Sequence, residues 1–363
     1  MRRGGWLAFA ALLAIGAAPA PAAPADPYGG RSFRIVASDP GMNAIVAPDA
    51  KLESWGETYG LTEGPLWIDE GSDGYLLFSD VISNVIYKRT RDGRTSVFLD
   101  RAGADSDDLH DTGLPVFRGR MAVILIGPNG LALDRQGRIV YCAPNDRAVM
   151  RLEKDGRRTV IADRVDGKRF SGPNDLVIRS DGTLYFTDSR TGLREGNADP
   201  DRQVPTNGVY MVKNGKVTLL ADDGGQPDLW PNGLAFTPDE KQMYLNFGFR
   251  KILRYDVRPD GTLTNPKMFL NGEGSDGMKV DTRGNLYTTS GMVGAGEVRI
   301  TSPEGKRLGT IELPTVAGEP REQVCATNVA FGDPDGKGLF ITACEHVYHI
   351  RLKVPGIRSR AAG

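Results

Sequence analysis

Between Gly172 and Asp188 the chain reads GPNDLVIRSDGTLYFTD: a turn, a short apolar run, a Ser-Asp-Gly turn and an aromatic strand. The opening of this stretch returns at NGLALDRQGRIVY from Asn129, NGLAFTPDEKQMYL from Asn232, DGMKVDTRGNLYTT from Asp276 and TNVAFGDPDGKGLFIT from Thr327. The first copy is EGPLWIDEGSDGYLLFSD from Glu63. With Glu63, Asn129, Asn174, Asn232, Asp276 and Asn328 taken as equivalent, six copies follow one another at steps of 44 to 66 residues. Such steps suit propeller blades of about 40–50 residues carrying loop insertions, not the repeats of a helical solenoid.

Within a copy, a glycine-containing turn such as Ser180-Asp181-Gly182 separates two strands, and Leu184 and Phe186 alternate with Tyr185 and Thr187 at the period of two expected of a strand. Third and fourth strands follow, as in VIYKRT then TSVFLD from Val85 and VMRLEK then RTVIAD from Val149. The expectation is an all-β, six-bladed β-propeller formed by residues 26–363 as a single domain. A closed ring leaves no sheet edge bare. The last copy supplies only three strands, near 328–331, 339–343 and 347–353, so a strand within Ala47–Glu57 is expected to complete it. An acidic, irregular insertion at about 101–126 is expected to fold over one end of the ring. Its Asp cluster lacks the spacing of an EF-hand loop and reads as solvated loop.

The 363 residues include 46 glycines and are 40% hydrophobic, which provides a large core and excludes a helical bundle. Lys+Arg of 45 against Asp+Glu of 46 leaves no basic field to attract nucleic acid or an anionic membrane. The first 25 residues read as a signal peptide: Arg2 and Arg3, an apolar run from Trp6 to Ala18, then Ala-Pro-Ala sites. The product is therefore expected to be exported, periplasmic or secreted, with no membrane segment after processing and an oligomeric state that the sequence leaves open.

If the six equivalent positions begin the innermost strands, their side chains meet at one mouth of the central channel. Glu63, Asn174, Asn232 and Asp276 then bring two carboxylates and two amide oxygens together, an arrangement that loses hydration and repels itself unless a cation sits between. An all-oxygen set favours a hard ion: Ca²⁺ first, with Mg²⁺, Mn²⁺ or Zn²⁺ as alternatives. Asn-Gly and Asp-Gly also shape turns, and that is the role read for Asn129 and Asn328.

The run Glu63-Gly64-Pro65, Gly172-Pro173-Asn174-Asp175, Pro231-Asn232-Gly233-Leu234 and Ser275-Asp276-Gly277-Met278 resembles the gluconolactonase family that includes senescence marker protein 30 and regucalcin. The resemblance covers essentially the whole mature chain. It implies a six-bladed propeller with one divalent metal ion in the channel, held by Glu63, Asn174, Asn232 and Asp276. It also implies lactone hydrolysis with Asp276 as general base. Two other classes stay open: a phosphotriesterase or aryl-esterase resembling diisopropyl fluorophosphatase or paraoxonase, and a non-catalytic calcium- or ligand-binding propeller.

The chain departs from the family where Ala143-Pro144-Asn145-Asp146 replaces a His-Gly pair and Ser189-Arg190-Thr191-Gly192 replaces Pro and Tyr-Gly, departures that argue against gluconolactone itself. Candidate contacts to a small-molecule substrate are Asn129, Arg190, Trp230 and Phe247, with Phe249 beside them. A hairpin centred near Pro334-Asp335 would bring Cys325 and Cys344 opposite each other as a disulfide and leave Cys142 free. His110, His346 and His349 lack metal spacing and read as structural.

Overall fold

The computed structural model describes residues 32–106, 112–118, 121–291, 296–315 and 325–359. The expected signal peptide and His110 lie outside the described residues. Six antiparallel sheets follow one another along the chain, and the repeat has marked each of them. Blade 3 is typical, with strands Pro173–Ile178, Leu184–Asp188, Gly208–Lys213 and Lys216–Asp222 from the axis outward. The first strands of successive blades touch in order, and that of blade 6 touches that of blade 1, so the ring is closed.

Closure uses the N-terminal segment twice. Leu52–Ser54 completes blade 6, pairing Glu53 with His349 and Ser54 with Tyr348, as the missing-strand argument requires. A second strand, Arg34–Ala37, adds a fifth member to blade 5, pairing Ile35 with Ile311. No pattern in those four residues announces it.

The alternation in the second strands separates neighbouring blades, not core from solvent. In blade 3 all of Leu184–Asp188 is buried. Phe186 packs against Cys142 and Val149 of blade 2, whereas Tyr185 packs against Leu234 and Leu245 of blade 4. Each inner strand is thus apolar on both faces, which is why aromatic runs and not polar–apolar alternation mark it.

The glycine after the axial residue reflects crowding between first strands. A Cβ on Gly233 would collide with the Asp276 carbonyl of the next blade, and one on Gly277 with the Asn328 side chain. Gly64 and Gly130 meet Asn129 and Asp175 in the same way. Of these four only Gly64 has a positive φ, 48°, so the turn-shaping explanation of the Asn-Gly and Asp-Gly pairs gives way to close approach.

First-strand starts and second-strand ends share one face of the ring, because Pro173 pairs with Asp188 and Pro231 with Phe247. The insertion lies on this face: it forms a hairpin of Leu114–Arg118 and Met121–Leu125, bridges Thr112 to Leu193, and receives a hydrogen bond from Asn145 Nδ2 at Leu125 O, 3.0 Å. Cys325 and Cys344 are joined in a disulfide on the same face, with Cα atoms 5.5 Å apart, and pack with Leu61, Val81 and Leu125. Cys142 is a free, buried thiol.

The opposite end of the channel is crossed by the C-terminal segment. Thr282 N–H donates to Pro355 O (2.9 Å) and Ile357 N–H to Val280 O (3.0 Å). Arg358 Nη1 donates to Asp69 Oδ1 and to Asp333 O, at 2.8 and 2.7 Å. Above it remains a cavity of about 110 Å³ lined by Trp67, Leu176, Phe236, Lys279 and Ile357. Among the described residues no helix is long and apolar enough to cross a membrane.

Candidate active site

In five blades the backbone at or just before the axial residue is held by a polar side chain. Ser79 Oγ donates to Asn129 O (2.6 Å), Thr289 Oγ1 to Thr327 O (2.7 Å) and Thr327 Oγ1 to Thr62 O (2.7 Å), linking blades 1 to 2, 5 to 6 and 6 to 1. The Asn246 amide of blade 4 bonds both the N–H and the carbonyl of Ser275, immediately before Asp276. In blade 3 the Asp188 carboxylate accepts from Ser171 N–H (2.9 Å) and Gly172 N–H (2.7 Å), fixing the turn that presents Asn174. In blade 1 Asp80 holds Gly60 and Leu61 in the same manner, ahead of Glu63. The mouth is therefore built from short polar side chains, most of them at second-strand ends, that satisfy backbone buried by the ring.

Around the axis Glu63, Asn129, Asn174, Asn232 and Asp276 are each 6–8% exposed, so all five keep a small opening to solvent. Asn232 Nδ2 donates to Asp276 Oδ1 at 2.7 Å. Glu63 Oε2 accepts from Gly64 N–H at 3.0 Å and from Asn328 Nδ2 at 3.1 Å. Burial pushes the Glu63 carboxyl up to about 7; the Gly64 and Asn328 hydrogen bonds and the Lys279 charge oppose that rise, and Asp175 adds to it. Burial, then the charge of Glu63, pushes Asp276 well above the carboxylate range, against its bond from Asn232.

Two residues enter this constellation that sequence reasoning passed over. Asn328, read as a turn residue, holds Glu63. Asp175, 2% exposed, feels both Glu63 and Asp276, and its Oδ2 has no hydrogen-bond partner among the described residues. Its signal was its position: it follows an axial residue where four other blades have glycine.

Among the described residues no group of three or more His, Cys, Asp and Glu side chains forms a metal cluster. The four residues expected as ligands include only two carboxylates. They nevertheless fit a hard cation: all donors are oxygen, both carboxyls are penalised by burial, neither makes an ion pair with a described cationic side chain, and an orphaned carboxylate oxygen stands nearby.

The expected rim residues divide. Arg190 stacks over Trp230, with its guanidinium carbon 4.2 Å from the ring centroid, and Trp230 meets Phe249 edge-on at 5.9 Å between centroids. Phe247 does not reach the rim: it is 2% exposed, packed against Leu245 and Leu229 inside blade 4, because its side chain falls on the inter-blade side of the strand. Phe249, two residues on and past the strand end, is the aromatic at the mouth. His349 is structural, its ring nitrogens facing Glu53 Oε2 (3.1 Å) and Asp333 Oδ2 (2.9 Å), and His346 stacks on Tyr348.

Comparison with known proteins identifies the family. The family described as SMP-30/Gluconolactonase/LRE-like region matches residues 61–345. A gluconolactonase of Zymomonas mobilis is 30% identical over 338 residues, covering 89% of this chain and 87% of that protein. The structure of a Xanthomonas campestris gluconolactonase superposes with a TM-score of 0.69 at 27% identity, covering 92% of this chain and 99% of its own. Regucalcin of Agrobacterium tumefaciens, described as a calcium-binding protein, shares the fold at 18% identity and a TM-score of 0.61, covering 85% of this chain and 96% of its own. A closed ring of six blades, a family match over residues 61–345 and a relative 30% identical over most of both chains lead to one assignment: the chain belongs to the SMP-30/gluconolactonase/LRE-like family.

Proposed function

We propose that the protein is a metal-dependent lactonase that opens a sugar-type or related lactone to its hydroxy acid. The observation that carries this reading is the pair of buried axial carboxylates, Glu63 and Asp276, which have only carboxamide and backbone N–H partners. Membership of the family and the two gluconolactonase relatives support it. Glu63, Asn174, Asn232 and Asp276 would hold one divalent cation, Ca²⁺ first. When bound, that ion polarises a carbonyl oxygen and acidifies a water.

The chain's own groups do the rest. Asn232 engages Asp276 Oδ1 and leaves Oδ2 as the proton acceptor. As the water oxygen bonds to the lactone carbonyl carbon, Asp276 Oδ2 takes its proton. That proton passes to the ring oxygen as the acyl C–O bond breaks, so water and lactone give one hydroxy acid. Asn328 and Gly64 orient Glu63, and the insertion hairpin stands over the mouth face. The disulfide fits an oxidising compartment, and we place the mature protein outside the cytoplasm.

Cation-loaded protein assayed against lactones, aryl esters and phosphotriesters is expected to turn over lactones fastest. Glu63→Gln and Asp276→Asn are each expected to lose at least about a hundredfold in kcat while the circular dichroism spectrum is unchanged. Turnover of the other ester classes alone, or cation binding with no turnover, would replace the lactonase reading.

A further inference from the structure

We propose that Arg190, seated on Trp230, selects lactones that carry a second, oxyanionic group, a carboxylate or a phosphoryl, away from the ring carbonyl. This deepens the lactonase reading and rests on it. Arg190 opens the short 3₁₀ turn Arg190–Gly192, two residues past Asp188, whose backbone pairs with Pro173 beside Asn174. Trp230 lies two residues before Asn232, and the Phe249 ring lies against Gly291, past the second strand of blade 5. The three side chains therefore form a lip over blades 3 to 5, outward of Asn174, Asn232 and Asp276.

The guanidinium is positioned and uncommitted. One face is stacked on the Trp230 indole, and the stem is confined by Gly196, where an added Cβ would come within 3.2 Å of Arg190 Cδ. Other partly buried arginines, such as Arg138, Arg151 and Arg299, are paired with carboxylates at 2.6–3.1 Å. Arg190 makes no ion pair and donates no side-chain hydrogen bond among the described residues. The Asp228 charge reaches it only through space, and burial works against its positive form.

A half-desolvated cation with free in-plane N–H donors gains most from a bidentate oxyanion. The indole stack leaves those donors available and adds cation–π attraction without neutralising the charge. Arg190 is the cationic side chain at this lip, so a distal oxyanionic group of a lactone whose carbonyl faces the axial residues is accommodated there. The segment Ser189-Arg190-Thr191-Gly192 thereby acquires a purpose: the substrate's distal group is read by charge.

The test compares three lactones: a neutral aldonolactone, a hexarate monolactone with a free carboxylate, and a phosphorylated aldonolactone. Cation-loaded wild type is expected to show a higher kcat/KM on one or both anionic lactones than on the neutral one. In Arg190→Gln that ratio is expected to fall about tenfold or more, mainly through KM, with Arg190→Lys keeping part of it. The arm with the larger fall identifies the oxyanion. No anionic preference in wild type, or the same ratio in both proteins, overturns the proposal. If wild type hydrolyses no lactone, the lactonase reading has failed, and calorimetric binding of the ring-opened hexarate dianion decides the lip separately. Affinity about tenfold weaker in Arg190→Gln supports it, and equal affinity overturns it.

Discussion

At the residue scale the axial positions show why one repeat yields unequal side chains. After the axial residue, four blades carry glycine because the next first strand presses on that Cα, yet blade 3 carries Asp175 and buries it. The result is three carboxyls, Glu63, Asp175 and Asp276, acting on one another in low dielectric. A pH dependence follows. Folded Glu63 titrates at about 7 against an ordinary 4.5, so between those values the folded, cation-free protein keeps a proton that the unfolded chain has released. Cation-free stability therefore falls as pH rises from about 4.5 to about 7, by an amount on the order of a few kcal/mol. A divalent cation favours the deprotonated ring and works in the opposite direction. The gap in Tm between cation-loaded and chelated protein is expected to widen across that window, and to widen less in Glu63→Gln. A gap independent of pH would remove the ring from the cation site.

At the element scale the first strands are legible in sequence because an apolar run, an axial polar residue and, in four blades, the glycine after it are demanded at once. Neighbouring first strands fix the glycine, burial fixes the apolar run, and the channel fixes the polar group. Sequence fails where only one demand acts. Arg34–Ala37 is an edge strand with one face exposed, and nothing local requires four such residues to join blade 5. Phe247 and Phe249 look alike in sequence, and only the point where the strand ends puts one in the core and the other at the mouth. The close approach can be tested directly. Gly277→Ala places a methyl group in the Asn328 side chain, which holds Glu63. The expected cost is about 1–3 kcal/mol of stability. The loss of kcat should exceed that of Gly272→Ala, where φ is 75° and the backbone is strained by any side chain but nothing lies near the added carbon. Equal losses of kcat at the two glycines would refute the crowding explanation.

At the scale of the whole molecule the ring depends on its two ends meeting in one sheet. Blade 6 combines Leu52–Ser54 with strands running to Arg351, and the His349 imidazole ties the joint through Glu53 and Asp333. Deleting the chain through Ser54 removes both N-terminal strands and bares an edge on blades 5 and 6. Such a truncation is expected to lose the single cooperative melting transition and to aggregate, whereas deletion through Arg31, which keeps both strands, should retain that transition. An unchanged transition after the longer deletion would show that the ring closes without its latch.

The C-terminal segment that crosses the far end gives the channel a floor, and a propeller with a floor behaves as a cup, not a pipe. In the lactonase reading, substrate approaches Asp276 from the face that carries Arg190, and product leaves by that face. The reaction proposed here starts from a lactone and ends with a newly formed carboxylate, so each turnover hands the doorway an additional negative charge to release. With the far end crossed by that segment, the hydroxy acid is expected to compete with fresh lactone for the mouth as it accumulates, which product-inhibition kinetics would read. Spontaneous ring opening upstream would then slow the enzyme by the same competition, linking its rate to the age of its substrate pool.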